Sequence, residues 1–232
     1  MKTARRLMMA GLIVGAMVMP AWAQAPAQST QNLEMLAMVG AQMGENMKAL
    51  TGYTFQQRTA AQINGELKNV KLVQVAFTPQ KETLVTTLSS EPPEQLHGGP
   101  IMRHVEEDKA KEMKGEIEQV VALSNSYLNL NQQGLQQLGR MAQAWMSPDG
   151  NTIRVTASGF QQPGDQVTIT CDGATKRQLQ TQVTTTIFGG PMTILATYRQ
   201  WPTGLNYNAE TVINVPGKSM QITINTMNYI KQ

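Results

Sequence analysis

The 232-residue sequence contains one cysteine, two histidines and only 5% aromatic residues. A single cysteine cannot form an internal disulfide bond. This residue, Cys171, ends the alternating apolar series Val167, Ile169, Cys171. We therefore expect a small buried side chain rather than a reactive thiol, which would need a neighbouring positive charge to lower its pKa.

The sequence also lacks the residue patterns of common catalytic and metal sites. His97 lies in a Gly/Pro-rich loop and His104 at the start of a predicted helix, without the four-residue spacing of a helical metal site. No Gly-x-Ser-x-Gly motif is present, and neither Gly-Gly-Pro sequence is followed by the Lys and Ser/Thr of a phosphate loop. We therefore expect a protein that is not an enzyme and binds no cofactor or metal.

The N-terminus has the pattern of an export signal. Lys2, Arg5 and Arg6 precede an apolar run over residues 7–18, and Ala21-Trp22-Ala23 fits a small-x-small cleavage site. The apolar run is shorter than a membrane-spanning helix requires. The sequence thus predicts a signal peptide over residues 1–23, cleaved after Ala23, and a periplasmic location.

Removing the signal peptide leaves 16 of the 19 Lys and Arg residues against 16 Asp and Glu. A nucleic-acid-binding surface needs a surplus of positive charge, so we expect no nucleic-acid partner. Residues 24–31 are rich in Ala, Pro, Gln and Ser and predict a flexible lead. Residues 32–232 are then sufficient for one domain with a substantial core.

Alternation of apolar and polar residues dominates the segment 175–229. Over residues 178–187 every apolar residue occupies an odd position, which is the period of a strand with one buried face. Three more alternating runs follow, and each break between runs contains Gly or Pro, which form tight reversals. The segment predicts an antiparallel meander of four strands whose apolar face becomes concave as the sheet twists.

The rest of the sequence predicts elements that complete or cover this sheet. A helix is expected from Thr30 or Asn32 to Leu50, followed by two strands that meet at an Asn64-Gly65 hairpin and a third strand over residues 82–88. Helices over residues 101–128 and 132–145 form an insertion of about residues 101–146. Six strands after this insertion bring the predicted total to about nine.

These elements predict an α+β fold that is mainly β. It is a strongly curved antiparallel sheet, or unclosed β-barrel, with the N-terminal helix and the two-helix insertion over its concave side. The residues predicted to line that side and to bind a ligand are Met43, Met47, Leu50, Phe55, Val183, Ile187, Ile194, Tyr207 and Ile222. Eleven Met residues remain after the signal peptide. Such flexible side chains suit irregular ligands but also fill ordinary cores, so both a guest molecule and a solid core stay open.

The order of these parts resembles a known family. The signal peptide, the N-terminal helix before Tyr53-Thr54-Phe55-Gln56, the helical interruption and the closing meander with Asn225-Thr226-Met227-Asn228-Tyr229 resemble the periplasmic outer-membrane lipoprotein carriers, the LolA-like proteins. The resemblance implies a half-open β-barrel whose apolar cavity holds the acyl chains of lipids or lipoproteins. It also implies an Arg that keeps a helical lid closed, and Arg58 is the corresponding candidate.

The expected partners are therefore lipid or lipoprotein acyl chains, with an envelope membrane protein as a further candidate. An alternative function uses the same fold without a ligand. In that case the concave side is only a core, and the protein is a non-enzymatic envelope sensor or structural interaction protein.

Overall fold

The computed structural model describes residues 30–78, 80, 82–91 and 100–232. The predicted signal peptide, residues 24–29 of the predicted lead and His97 lie outside the described residues. The described chain contains three α-helices: α1 Thr30–Leu50, α2 Pro100–Leu128 and α3 Gln132–Met141. It also contains ten strands: β1 Tyr53–Ile63, β2 Glu66–Phe77, β3 Thr83–Glu91, β4 Gln143–Met146, β5 Thr152–Ser158, β6 Gln166–Asp172, β7 Gln178–Ile187, β8 Gly190–Gln200, β9 Asn206–Val215 and β10 Met220–Lys231.

All ten strands belong to one antiparallel sheet in the order β3-β2-β1-β10-β9-β8-β7-β6-β5-β4. The N-terminal strands join the meander because β1 pairs with β10, and β3 and β4 are the two edges. Asn64 and Gly65 have φ values of 53° and 80°, as a two-residue type I′ hairpin turn requires. The predicted fold class, an open antiparallel half-barrel with an N-terminal helix, is confirmed.

The predicted second insertion helix is too long, and one strand was missed. Helix α3 ends at Met141, and Ala142 has an extended backbone with φ −83° and ψ 152°. The next four residues form β4, in which Trp145 pairs with Arg154 of β5, and the guanidinium lies 6.0 Å from the indole centroid. Pairing with the sheet edge thus overrides the helical pattern and gives ten strands instead of nine.

A continuous row of apolar side chains crosses the sheet and forms the floor of the main core. Cross-strand pairing places its seven members next to one another from β5 to β1, and each is at most 3% exposed. They are Ala157, Val167, Val183, Ile194, Ile213, Ile222 and Ala61. Cys171 is fully buried in the same core, as predicted. Apolar side chains of all three helices cover the row, including Val39 of α1, Val120 of α2 and Leu138 of α3.

A buried polar network fastens α2 to the sheet. Asp165 is almost fully buried, and its carboxylate accepts hydrogen bonds from the Tyr127 hydroxyl at 2.5 Å, the Thr185 hydroxyl at 2.6 Å and the backbone N–H groups of Gln161 and Gln162. Burial alone would raise the pKa of Asp165, but these hydrogen bonds outweigh it and lower the pKa. The network therefore fixes the C-terminal part of α2 above β7.

Candidate ligand cavity

The concave side contains a cavity of about 530 Å³ beside the main core. This volume lies within the range of small-molecule sites in proteins. Helix α1 and the α2–α3 junction form its walls, and strands β1–β3 and β7–β10 form its floor. The apolar residues that line it are Met43, Met47, Leu50, Phe55, Val75, Phe77, Val85, Leu128, Leu130, Tyr198, Ile224 and Tyr229. The polar residues that line it are Gln42, Asn46, Thr51, Gln57, Thr83, Asn125, Asn129, Asn131, Arg177, Gln178, Asn206, Asn208, Thr211 and Thr226.

A one-residue bulge in β9 decides which side chains reach this cavity. The pairing with β8 shifts between Thr197, opposite Glu210, and Tyr198, opposite Asn208. The extra residue reverses the alternation, so Asn208 and Asn206 line the cavity. Tyr207 pairs with Arg199 and lines a smaller cavity of about 340 Å³ on the outer face.

Aromatic side chains close one end of the cavity where β9 and β10 separate. The last paired residues of these strands are Glu210 and Asn225, and Tyr229 lies beyond them. The ring of Tyr229 stacks on Phe55 at 4.9 Å and approaches Tyr207 at 4.7 Å. Burial raises the pKa of Tyr229 to about 12, so its hydroxyl stays protonated in the folded protein.

The helical wall is held in place at two points. At the N-terminal end of α1, the Asn32 side-chain oxygen accepts a hydrogen bond of 2.6 Å from the Ala144 N–H. Near the C-terminal end, the Asn46 side chain donates to the Asn206 carbonyl at 2.6 Å and accepts from the Asn206 N–H at 2.9 Å. Met43 lies between these contacts, so the part of the helix that faces the cavity is fixed to both β4 and β9.

Edge strand β3 leaves the cavity open on one side. Val85 lines the cavity next to Val75 of β2, yet it is 59% exposed. The neighbouring residue Leu84 lies on the opposite face of the same strand and is 52% exposed. In the described part of the chain, the cavity therefore meets solvent along the inner face of β3.

Known proteins resemble the chain in structure but not in sequence. No family model and no curated protein sequence matches it. The crystal structure of a DUF1329 family protein from Desulfovibrio piger is 7% identical with a TM-score of 0.45, and the match covers 86% of this chain and 92% of that one. The crystal structure of a LolA superfamily protein from Nitrosomonas europaea is 8% identical with a TM-score of 0.41, and the match covers 89% and 94%. A LolA superfamily protein, the group that the sequence was predicted to resemble, is thus one of these two structural matches. At these identities the likeness concerns the fold alone.

The structure separates the predicted ligand-binding residues into three groups, one of which is Tyr207 alone, on the outer face. Met43, Met47, Leu50 and Phe55 line the cavity together. Three others belong to the main core and are fully buried, and Ile187 packs against that core. The three are Val183, Ile194 and Ile222.

The candidate lid residue Arg58 lies on the outer face of β1. It pairs with Leu72 and Asn225, whereas the preceding residue Gln57 lines the cavity. The position in β1 that faces the cavity is therefore Gln57. Sequence analysis did not single out Arg177, Asn46, Asn206 or Asn208, because none of them belongs to an apolar series.

Two further observations concern the described residues as a whole. Among the described residues, no group of three His, Cys, Asp or Glu side chains is placed to hold a metal ion. None of the described helices combines the length and apolar character needed to cross a membrane.

Proposed function

We propose that the protein is a periplasmic carrier or binding protein for the acyl chains of lipids or lipoproteins. The observation that supports this most is the 530 Å³ cavity, whose lining includes the methionines of α1 and the aromatic and aliphatic side chains of β1–β3 and which lies next to the separate main core. A carrier of this kind would exchange its acyl cargo with a membrane or with an envelope membrane protein.

The energetics favour a guest with a long apolar part. Each methylene group removed from water contributes about 0.8 kcal/mol, so about ten of them would contribute roughly 8 kcal/mol before the costs of association. The methionines of α1 suit such a guest because their unbranched side chains adapt to variable shapes. The open side along β3 provides a path by which a chain can enter without separating the strands.

The test is acyl binding by the purified protein. Mass spectrometry of an organic extract should detect co-purified lipid, and a fluorescent fatty acid should bind the delipidated protein with saturation. A protein that keeps its fold but yields no lipid and binds no acyl probe would contradict the carrier proposal. That outcome would favour the sensor or structural role.

Matched substitutions on β3 connect binding to the cavity. Val85→Glu places a carboxylate on the cavity side, and Leu84→Glu places the same group on the opposite face of the strand. Both positions are more than half exposed, so neither change should unfold the protein. We expect Val85→Glu to weaken binding of an uncharged acyl probe at least several-fold and Leu84→Glu to leave it unchanged.

A further inference from the structure

We propose that the cavity selects acidic amphiphiles, with a carboxylate or phosphate headgroup at Arg177 and the acyl chain directed towards β1–β3. This inference rests on the proposed acyl-binding function and adds the chemical class of the headgroup. Its basis is the distribution of charge and polarity along the cavity.

Arg177 is the one charged residue among the described residues that line the cavity. No described carboxylate lies within ion-pair distance of its guanidinium. The neighbouring carboxylate, Asp172, accepts hydrogen bonds from the N–H and hydroxyl of Thr175 at 2.6 and 2.7 Å. The adjacent cation, Lys176, donates to the carbonyl of Gly173 within the turn. Arg177 thus contributes a positive charge that none of the described cavity-lining residues balances with a negative charge.

The turn that carries Arg177 is rigidly held. The Arg177 carbonyl accepts a 2.8 Å hydrogen bond from the Asp172 N–H, and the Gly173 N–H donates to the Asn151 carbonyl at 2.7 Å. A Cβ atom on Gly173 would lie only 1.9 Å from the Gly150 carbonyl oxygen, so this close approach of two turns requires glycine. The backbone that positions the guanidinium is therefore fixed before a ligand arrives.

The polarity of the floor changes along the strand order. The turn before β7 and strands β7 and β9 contribute Arg177, Gln178, Asn206 and Asn208, whereas β1–β3 contribute mainly aromatic and aliphatic side chains. Six strand spacings of about 4.8 Å separate β7 from β3, which gives a path of roughly 29 Å along the sheet. A ligand that extends along this path would have its polar headgroup near β7 and the end of its acyl chain near β3.

Asn208 adds an unsatisfied hydrogen-bonding group on the polar side. Its side-chain nitrogen donates to the Thr211 hydroxyl at 2.8 Å, while its buried side-chain oxygen has no partner. Turning the amide over would leave the nitrogen unpartnered instead, because only one end of the amide faces Thr211. In that turned-over orientation the nitrogen could donate to an oxygen of an acidic headgroup and the amide oxygen could accept from the Thr211 hydroxyl, whereas a hydrocarbon would leave the amide unsatisfied.

The charge at Arg177 also discriminates between headgroups. A guest without charge would displace water from the guanidinium and offer no counter-charge, which is unfavourable. A carboxylate or phosphate would form charge-assisted, bidentate hydrogen bonds with it. Hydrogen bonds to charged groups correspond to affinity differences of roughly tenfold to hundredfold.

The experiment compares three amphiphiles with the same twelve-carbon chain: laurate, lauroyl lysophosphatidic acid and uncharged monolauroylglycerol. Each displaces a fluorescent, uncharged acyl probe from the purified protein. We expect both acids to bind at least tenfold more tightly than monolauroylglycerol. Arg177→Gln should remove this preference by weakening the binding of both acids, and it should not weaken the binding of monolauroylglycerol, which no longer displaces water from a charged group. The carboxylate and phosphate arms show which acid is preferred.

Arg199→Gln is the matched control, because Arg199 is exposed on the outer face of β8. It should leave all three affinities unchanged, and thermal unfolding should verify that both variants are folded. Equal affinity of the wild type for the charged and uncharged amphiphiles, or an equal loss for all three in Arg177→Gln, would overturn the headgroup inference and leave acyl binding intact. Failure of all three to bind the wild type would overturn the proposed function as well.

Discussion

Two methionines test the division of the concave side into a solid core and a ligand cavity. Met192 of β8 is fully buried in the main core, whereas Met47 of α1 lines the cavity and is 37% exposed. Replacing each with alanine removes the same atoms. The two substitutions therefore differ in what surrounds the side chain and in whether a strand or a helix carries it.

The expected losses of stability differ by several kcal/mol. Met192→Ala leaves a hole in a packed core, and such changes cost about 2–5 kcal/mol of the free energy of unfolding. That is a large part of the roughly 5–15 kcal/mol that stabilises a typical domain. Met47→Ala only enlarges a cavity that already exists, so we expect the free energy of unfolding to change by no more than about 1 kcal/mol. Alanine's slightly higher helix propensity partly offsets the lost contacts.

Urea denaturation measures the stabilities, and titration with a fluorescent fatty acid measures binding. A loss of about 1 kcal/mol of apolar contact in Met47→Ala corresponds to roughly fivefold weaker binding. Met192→Ala should bind normally under conditions in which it is folded. Equal destabilisation by the two substitutions would refute the division, because Met47 would then be part of a solid core. Unchanged binding in Met47→Ala would show that the guest does not contact this wall.

Two further predictions concern buried groups outside the cavity. Asp165→Asn should lower the free energy of unfolding at neutral pH by roughly 3 kcal/mol, because it removes the negative charge and replaces one of the two oxygens that accept from Tyr127 and Thr185 with a donor. Because the pKa of Asp165 is lowered in the folded protein, its contribution to the free energy of unfolding is present above the usual pKa of 3.8 and is lost as the pH falls through the folded-state pKa. Acid unfolding monitored by circular dichroism should therefore be less steep in the variant. Burial raises the pKa of Cys171 to about 12. A thiol reagent should therefore label Cys171 slowly in the native protein and rapidly in denaturant. Equal labelling rates would contradict its burial.

The sequence predicted the fold class because the meander obeys one simple periodicity. Val183, Ile194 and Ile213 occupy the buried positions that alternation assigns to them, and the Asn64-Gly65 turn forms as its residue types require. Strand β4 was missed because it is only four residues long and continues the apolar spacing of α3. Its extended conformation depends on pairing with β5, a contact that local sequence does not contain.

The cavity was harder to predict because it depends on interruptions of the pattern. One extra residue in β9 turns Tyr207 outward and brings Asn206 and Asn208 inward, and no residue type in that strand marks the position of the bulge. Arg177 lies in a turn, where alternation makes no prediction about the direction of a side chain. The methionines of α1 could be assigned to one face of the helix because their helical spacing requires no information about the sheet.

The separate arrangement of core and cavity has a consequence for how a guest would be exchanged. The row from Ala157 to Ala61 and the helices above it pack against one another in a single apolar cluster. Helix α1 is tied to β4 and β9 by hydrogen bonds to Asn32 and Asn46, on either side of Met43. Side chains of Met43 and Met47 can therefore change rotamer while the helix backbone stays fixed. Because the open side lies along β3, at the far edge of the sheet from β4, a chain can enter or leave there without breaking the contacts that hold the core together.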